Sequence, residues 1–234
     1  MLLITIKKEI MKKYVVIILA LVGFSVFAQK RTVNIGDFNE VKTYNGLTVT
    51  LYPSQEQKVE ISGDAADDVI VKNVDGTLKI LTKIAKKVWE EDLIVKVYYK
   101  NLDTIDANEG SNIKSEAVFK QDALTVKAQE GATIRLQVAL NDLDIKTISG
   151  GNISLEGKAK NQDIIANSGG MYEAFGLSSE TATAKASSGA AIDINVTKRV
   201  KATASFGGEI YIKGNPKNAA NKATLGGEVK ILKK

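Results

Sequence analysis

The segment Thr147-Ile148-Ser149-Gly150-Gly151-Asn152-Ile153-Ser154-Leu155 returns nineteen residues later as Ala166-Asn167-Ser168-Gly169-Gly170-Met171-Tyr172-Glu173-Ala174. It returns once more as Ala186-Ser187-Ser188-Gly189-Ala190-Ala191-Ile192-Asp193-Ile194. Extended in both directions, the comparison finds the same glycine-marked turn at Gly110, Gly131, Gly207 and Gly226, with successive spacings of 21, 19, 19, 20, 18 and 19 residues. A fixed period of this kind is the signature of a solenoid, in which each repeat buries its apolar face only by stacking on the next.

Strict alternation follows each mark. Three residues after it stand Ile113, Ile134, Ile153, Tyr172, Ile192, Ile210 and Val229. Five after it stand Ser115, Leu136, Leu155, Ala174, Ile194, Ile212 and Ile231. The column between them (Lys114, Arg135, Ser154, Glu173, Asp193, Tyr211, Lys230) is polar. Period-2 alternation sends one set inward and the other to solvent. A second strand precedes each mark, with a small-residue column (Ala128, Thr147, Ala166, Ala186, Ala204, Ala223) and, two residues earlier, Val126, Ile145, Ile164, Ala184, Ala202 and Asn221. Both of these columns are expected to face inward, the small one at a tight corner. Glycine suits the intervening turn because it accepts positive φ without steric cost. The expected fold is all-β, a right-handed parallel β-helix with about 19 residues per coil. Ile134, Ile153, Ile192 and Ile210 should lie directly above one another, at about 4.8 Å per coil.

Residues 29–109 are strand-like but less regular. Segments 47–51, 59–61, 69–71, 78–80 and 94–98 alternate or run apolar, and turn signals stand at Asn45-Gly46, Ser62-Gly63-Asp64 and Asp75-Gly76. Asp75-Gly76 reads as a hairpin turn, and residues 64–69 as a single helical turn. This part either starts the same solenoid with larger coils or forms a β-rich cap over its first edge. The chain divides into residues 1–28, 29–109 and 110–234, with no Pro/Gly/Ser-rich linker between the last two.

Residues 1–28 read as a secretory leader. Met11-Lys12-Lys13 supplies a basic start, residues 14–27 an apolar run, and Val26-Phe27-Ala28 a small-residue cleavage site. Met1 and Met11 both stand as candidate initiators. A membrane anchor is the rival reading, but the apolar run of fourteen residues is short of the roughly 20 that a span needs. Export follows, to the periplasm, the outer-membrane surface or the medium, with no membrane span after cleavage. Of the net charge of +5, the leader carries +3, from Lys7, Lys8, Lys12 and Lys13 against Glu9. The remaining Lys and Glu alternate along the chain instead of forming a stripe, which argues against nucleic acid as a partner. With no Cys in 234 residues, there is no disulfide, lipid-modified Cys or thiolate chemistry.

An ordered series of segments carries a resemblance. Gly36-Asp37-Phe38-Asn39-Glu40-Val41, Asn45-Gly46-Leu47 and Val59-Glu60-Ile61-Ser62-Gly63-Asp64 are followed by Val74-Asp75-Gly76-Thr77-Leu78-Lys79-Ile80. Val95-Lys96-Val97, Leu102, Ile105-Asp106-Ala107 and Gly110-Ser111 complete it. Residues 33–234 thereby resemble the head GIN domain auto-transporter adhesins common in Bacteroidetes-type bacteria. The resemblance implies a right-handed parallel β-helix with an N-terminal and a C-terminal part, an adhesin label, and no catalytic residues to carry over.

Absent His and Cys remove the usual nucleophile–base pairs and transition-metal sites, and no cofactor is expected. The double glycines lack the Asp-bearing nonapeptide of calcium rolls and the Lys-Ser/Thr of phosphate loops. Two speculative binding clusters remain. Glu173 and Asp193, with Tyr211 one coil on, share an outward column. They read as a cation site or an acid–base pair, or as charges splayed into solvent. The single Trp, Trp89, stands in a charge-dense stretch beside Lys86 and Lys87. It reads as a sugar-stacking residue flanked by cations for an anionic polysaccharide, or as a ring packed over the core edge. The leading functional reading is a non-catalytic surface or periplasmic solenoid that contacts glycans or envelope proteins. The alternatives are a structural envelope protein with a protein partner, and a carbohydrate-active enzyme that uses outward carboxylates.

Overall fold

The computed structural model describes residues 30–83 and 93–232. The regular part comprises β9 (Asn112–Lys120), β10 (Ala123–Gln129), β11 (Thr133–Ile148), β12 (Asn152–Asn167), β13 (Met171–Ser187), β14 (Ala191–Ser205), β15 (Glu209–Lys213), β16 (Asn218–Thr224) and β17 (Glu228–Ile231). Each long strand follows one wall, turns a corner and continues along another. In β11 the in–out alternation breaks at the consecutive exposed residues Asn141 and Asp142, as a corner requires. Parallel pairing joins β9, β11, β12, β13, β14, β15 and β17 along the first wall. Along the second it joins β10, β11, β12, β13, β14 and β16. The result is a β-solenoid of about 7 turns.

Register and burial confirm the inward columns through the middle rungs, whereas Asn221, Ala223 and Ile231 of the last rung, expected to be inward, are exposed because no further rung covers them among the described residues. Ile134 pairs with Ile153, Ile153 with Tyr172, Tyr172 with Ile192 and Ile192 with Ile210, and all five are buried. Burial of each such side chain contributes about 1.5–3 kcal/mol. Side-chain volume is balanced rung by rung. β13 brings Tyr172 into the isoleucine column and carries Ala174, Ala182, Ala184 and Ala186 at four of its six other inward places, with Leu177 and Ser179 at the remaining two. The Tyr172 hydroxyl reaches across the core and lies 2.7 Å from Oε1 of Gln162, which is buried on β12.

The marked turns hold two residues at positive φ, not one. Glu130, Ser149, Ser168, Ser188, Phe206 and Leu225 precede the glycines at φ between 50° and 55°. The glycines themselves lie between 71° and 77°. With hydrogen bonds such as Gly151 N–H to Ile148 O (3.0 Å) and Gly208 N–H to Ser205 O (2.9 Å), this is type I′ geometry. In four of these turns a second glycine follows because the preceding rung lies against it. A Cβ on Gly151 would meet Ala128 O at 2.2 Å, and one on Gly170 would meet Thr147 O at 2.5 Å.

Rung order departs from chain order at the N-terminal end. β2 (Glu40–Thr43) lies between β6 (Thr77–Thr82) and β8 (Thr104–Ala107). β3 (Thr48–Pro53) likewise lies between β7 (Ile94–Tyr99) and β9. The chain therefore lays an inner rung, goes back beneath it for an outer one, then crosses over to continue the stack. Antiparallel strands close the outer rung. β4 (Lys58–Ser62) pairs with β7 and with β1 (Lys30–Asn34), while β5 (Val69–Val74) pairs with β6 through Asp75-Gly76. The single helical turn read from residues 64–69 is the 3-10 segment Ala66–Asp68. At the opposite end β16 is exposed throughout.

Candidate functional site

The solenoid turns alternate residues of each wall outward, so any site on it is a set of columns rather than a cleft. On the first wall, Lys96, Thr50, Lys114 and Arg135 succeed one another. Ser154, Glu173, Asp193 and Tyr211 continue the column. It is thus basic toward the capped end and acidic further along. The structure brings Glu173, Asp193 and Tyr211 onto successive rungs, as their spacing predicts. Burial raises the Asp193 carboxyl above its ordinary value of 3.8, and Glu173 adds to the effect while Lys213 opposes it. The Tyr211 hydroxyl donates to Glu209 Oε2 at 3.1 Å, which holds its phenol above the usual range. Beside them the Lys213 ammonium sits 4.0 Å from the centre of the Phe175 ring, so this aromatic face is covered by a cation.

Among the described residues, open cavities flank the walls. One of about 330 Å³ is lined by Asp37, Phe38, Gln57 and Lys100, one of about 480 Å³ by Lys158, Lys160, Ser178 and Glu180, and one of about 210 Å³ by Arg135, Gln137 and Glu156. None of the three is lined by Glu173, Asp193 or Tyr211. Among the described residues no group of three or more His, Cys, Asp or Glu is placed to hold a metal ion. Trp89, Lys86 and Lys87 lie outside the described residues.

Two features escaped the sequence reading. Tyr52 and Tyr98 stack at 5.5 Å between ring centres, with Lys96 over the first ring and Lys58 over the second. Their partnership depends on the out-of-order rung, so no sequence period marks it. The second feature overturns the expectation that lysines form no stripe. On the second wall Lys72, Lys79 and Lys42 pair in succession, Asp106 follows, and Lys127 and Lys146 come next. Ile165, Lys185, Thr203 and Lys222 complete the same outward column. Residues that alternate with acids along the chain are thus brought together by winding. A signal was present, since Lys42, Lys127, Lys146, Lys185 and Lys222 each stand four residues before a turn glycine.

Fold and walls define a parallel β-solenoid that presents ordered columns of charged and polar side chains. The chain belongs to the family described as "Putative auto-transporter adhesin, head GIN domain", whose model matches residues 37–216. Solved structures share the fold. A protein described as a putative adhesin from Bacteroides fragilis NCTC 9343 matches with a TM-score of 0.78 at 20% identity, over 89% of this chain and 98% of that one. Another putative adhesin, from Parabacteroides merdae ATCC 43184, gives 0.68 at 21% identity over the same shares. A protein from Parabacteroides distasonis ATCC 8503, described as a putative lipid binding protein, gives 0.65 at 16% identity, again over 89% and 98%. No curated protein sequence matches the chain. Among the described residues no helix is long and apolar enough to cross a membrane.

Proposed function

We propose that this protein is an exported, non-catalytic solenoid that acts as an adhesin or envelope-binding protein through its outward columns. The observation that carries the reading is the register itself, which repeats solvent-facing side chains at about 4.8 Å along the walls. Such a surface binds by many weak, parallel contacts, whose combined strength exceeds that of any one contact. Membership of a family described as adhesins supports the same reading, as does the leader expected over residues 1–28.

The experiment combines four measurements on the purified protein and on cells that express it. Surface labelling or fractionation should recover it outside the cytoplasm. A glycan array and an envelope pull-down should detect a ligand, and incubation with polysaccharides should release no new reducing ends. Saccharide cleavage that is lost in Glu173→Gln or Asp193→Asn would replace this reading with an enzyme. Recovery of one envelope protein with blank arrays would favour a structural role in the envelope.

A further inference from the structure

Lysines fill seven of the ten places in this column of the second wall, from Lys72 to Lys222, and most of them lack a carboxylate partner among the described residues. Lys127, Lys146, Lys185 and Lys222 form no ion pair with a carboxylate among the described residues, whereas Lys42 lies 3.6 Å from Asp106 and 3.3 Å from Glu40. Asp106 is buried and is further bound by the amides of Asn108 (3.0 Å) and Gln129 (3.2 Å), so this one acid in the column is already committed. Like charges facing one another across adjacent strands are unfavourable. Lys127 and Lys146 are direct neighbours. Lys185 follows two rungs beyond Lys146, and Lys222 two beyond Lys185. The array therefore settles to a charge every second rung, about 10 Å apart.

The flanking columns add a second layer of recognition. On one side stand Gln129, Ile148, Asn167, Ser187 and Ser205, a polar run with one apolar member, and on the other Thr125, Thr183 and Lys201, all at least partly exposed. Asp144 and Asp163 interrupt the threonine side and moderate the potential at the middle rungs. Amides and hydroxyls beside a line of ammonium groups suit a polymer that carries both hydroxyls and spaced anions. No aromatic ring stands in the lysine column to stack on bases, as single-stranded nucleic acid requires. Its one apolar member, Ile165, is 45% exposed, and an isolated aliphatic does not insert into a bilayer.

We propose that this column is a docking track for a linear acidic polysaccharide, one that carries carboxylate or sulfate groups at a repeat near two rungs. The proposal rests on the binding role above and specifies its ligand class and wall. Polymer charges then relieve the repulsion between stacked ammonium groups, and sugar hydroxyls pair with flanking hydroxyls such as those of Thr125, Thr183 and Ser205. Affinity accumulates over successive rungs, so it rises with polymer length and falls with salt.

The test is binding of the purified protein to immobilised polygalacturonate and dextran sulfate, with neutral dextran as control. Phosphatidylglycerol vesicles and an oligo-dT strand are measured in parallel. The triple variant Lys127→Gln, Lys146→Gln, Lys185→Gln removes the track. The triple variant Lys96→Gln, Lys114→Gln, Arg135→Gln removes equal charge from the first wall. The track variant is expected to lose about tenfold or more in affinity for the acidic polysaccharides, while the first-wall variant stays within about twofold. Lys→Arg at the three track positions should retain binding, and circular dichroism should show all variants folded. Equal losses in both glutamine variants, or tighter binding to vesicles or oligo-dT than to either polysaccharide, would overturn the track. Wild-type protein that adheres to envelope material but ignores both acidic polymers would leave the adhesin reading standing and remove this one.

Discussion

Replacing Tyr172 by Phe tests how the solenoid interior tolerates polarity. The Tyr172 hydroxyl lies 2.7 Å from Oε1 of Gln162, whose Nε2 already lacks a partner among the described residues. Both side chains are buried, Tyr172 at 1% and Gln162 at 3% exposure. In Tyr172→Phe the ring still fills its rung, but the whole Gln162 amide is left unsatisfied in an apolar core. An orphaned buried group costs about 1–3 kcal/mol. For a chain of this size each kcal/mol shifts Tm by about 2–4 °C, so a fall of roughly 2–12 °C is expected. Gln162→Leu alone should cost a similar amount by orphaning the hydroxyl, even though its register neighbour Leu143 shows that the column accepts leucine. The double variant removes both polar groups and should recover most of the loss, so the coupling energy approaches the sum of the two single losses, about 2–6 kcal/mol. Equilibrium denaturation and thermal melts of the four proteins give the cycle. A neutral Tyr172→Phe, or a double variant whose loss equals the sum of the singles, would refute the reasoning.

Three further predictions concern the walls, turns and open end. Asp193 titrates at higher pH folded than unfolded because burial and Glu173 oppose its charge. Its ionisation therefore lowers stability above the folded value, and this penalty disappears as pH falls below the ordinary 3.8. Asp193→Asn should raise Tm at neutral pH and lose that gain near about pH 3; a gain that grows on acidification would contradict the sign. Leu225, at φ 51° and 68% exposed, occupies a conformation that asparagine adopts more readily, so Leu225→Asn should stabilise by up to about 1 kcal/mol in denaturant titrations. Deletion of residues 226–234 removes β17 from Ile210 and Ile212 and exposes a fresh edge. Light scattering should then show aggregation, and a monodisperse product would count against the prediction.

Legibility differed sharply between the two parts of the chain. The inward columns through Ile134, Ile153, Ile192 and Ile210 were readable because period-2 alternation and a near-constant repeat leave one register that buries every isoleucine. Asp75-Gly76 was readable because its turn type follows from its own backbone preferences. Ser149, Phe206 and Leu225 carried no such mark. Positive φ at these residues is imposed by the turn that their glycine neighbours complete, against their own preference. Of the candidate site, Glu173, Asp193 and Tyr211 were correctly aligned by counting from the glycines, whereas the lysine column and the Tyr52–Tyr98 stack were not foreseen.

Local chemistry thus dictates which face of each strand is buried and where each rung turns, because side-chain alternation and backbone conformation act over a few residues. Winding decides which residues become neighbours wherever the contact crosses between walls or leaves the regular period, because that depends on pairing between segments a rung apart or, for β2 and β6, out of chain order. The Tyr172–Gln162 contact, the seat of the β6–β7 rung beneath β2–β3 and the Lys72, Lys79 and Lys42 end of the lysine line all belong to this second kind. Each pairs residues whose separation in sequence carries no energetic meaning until the rungs are stacked.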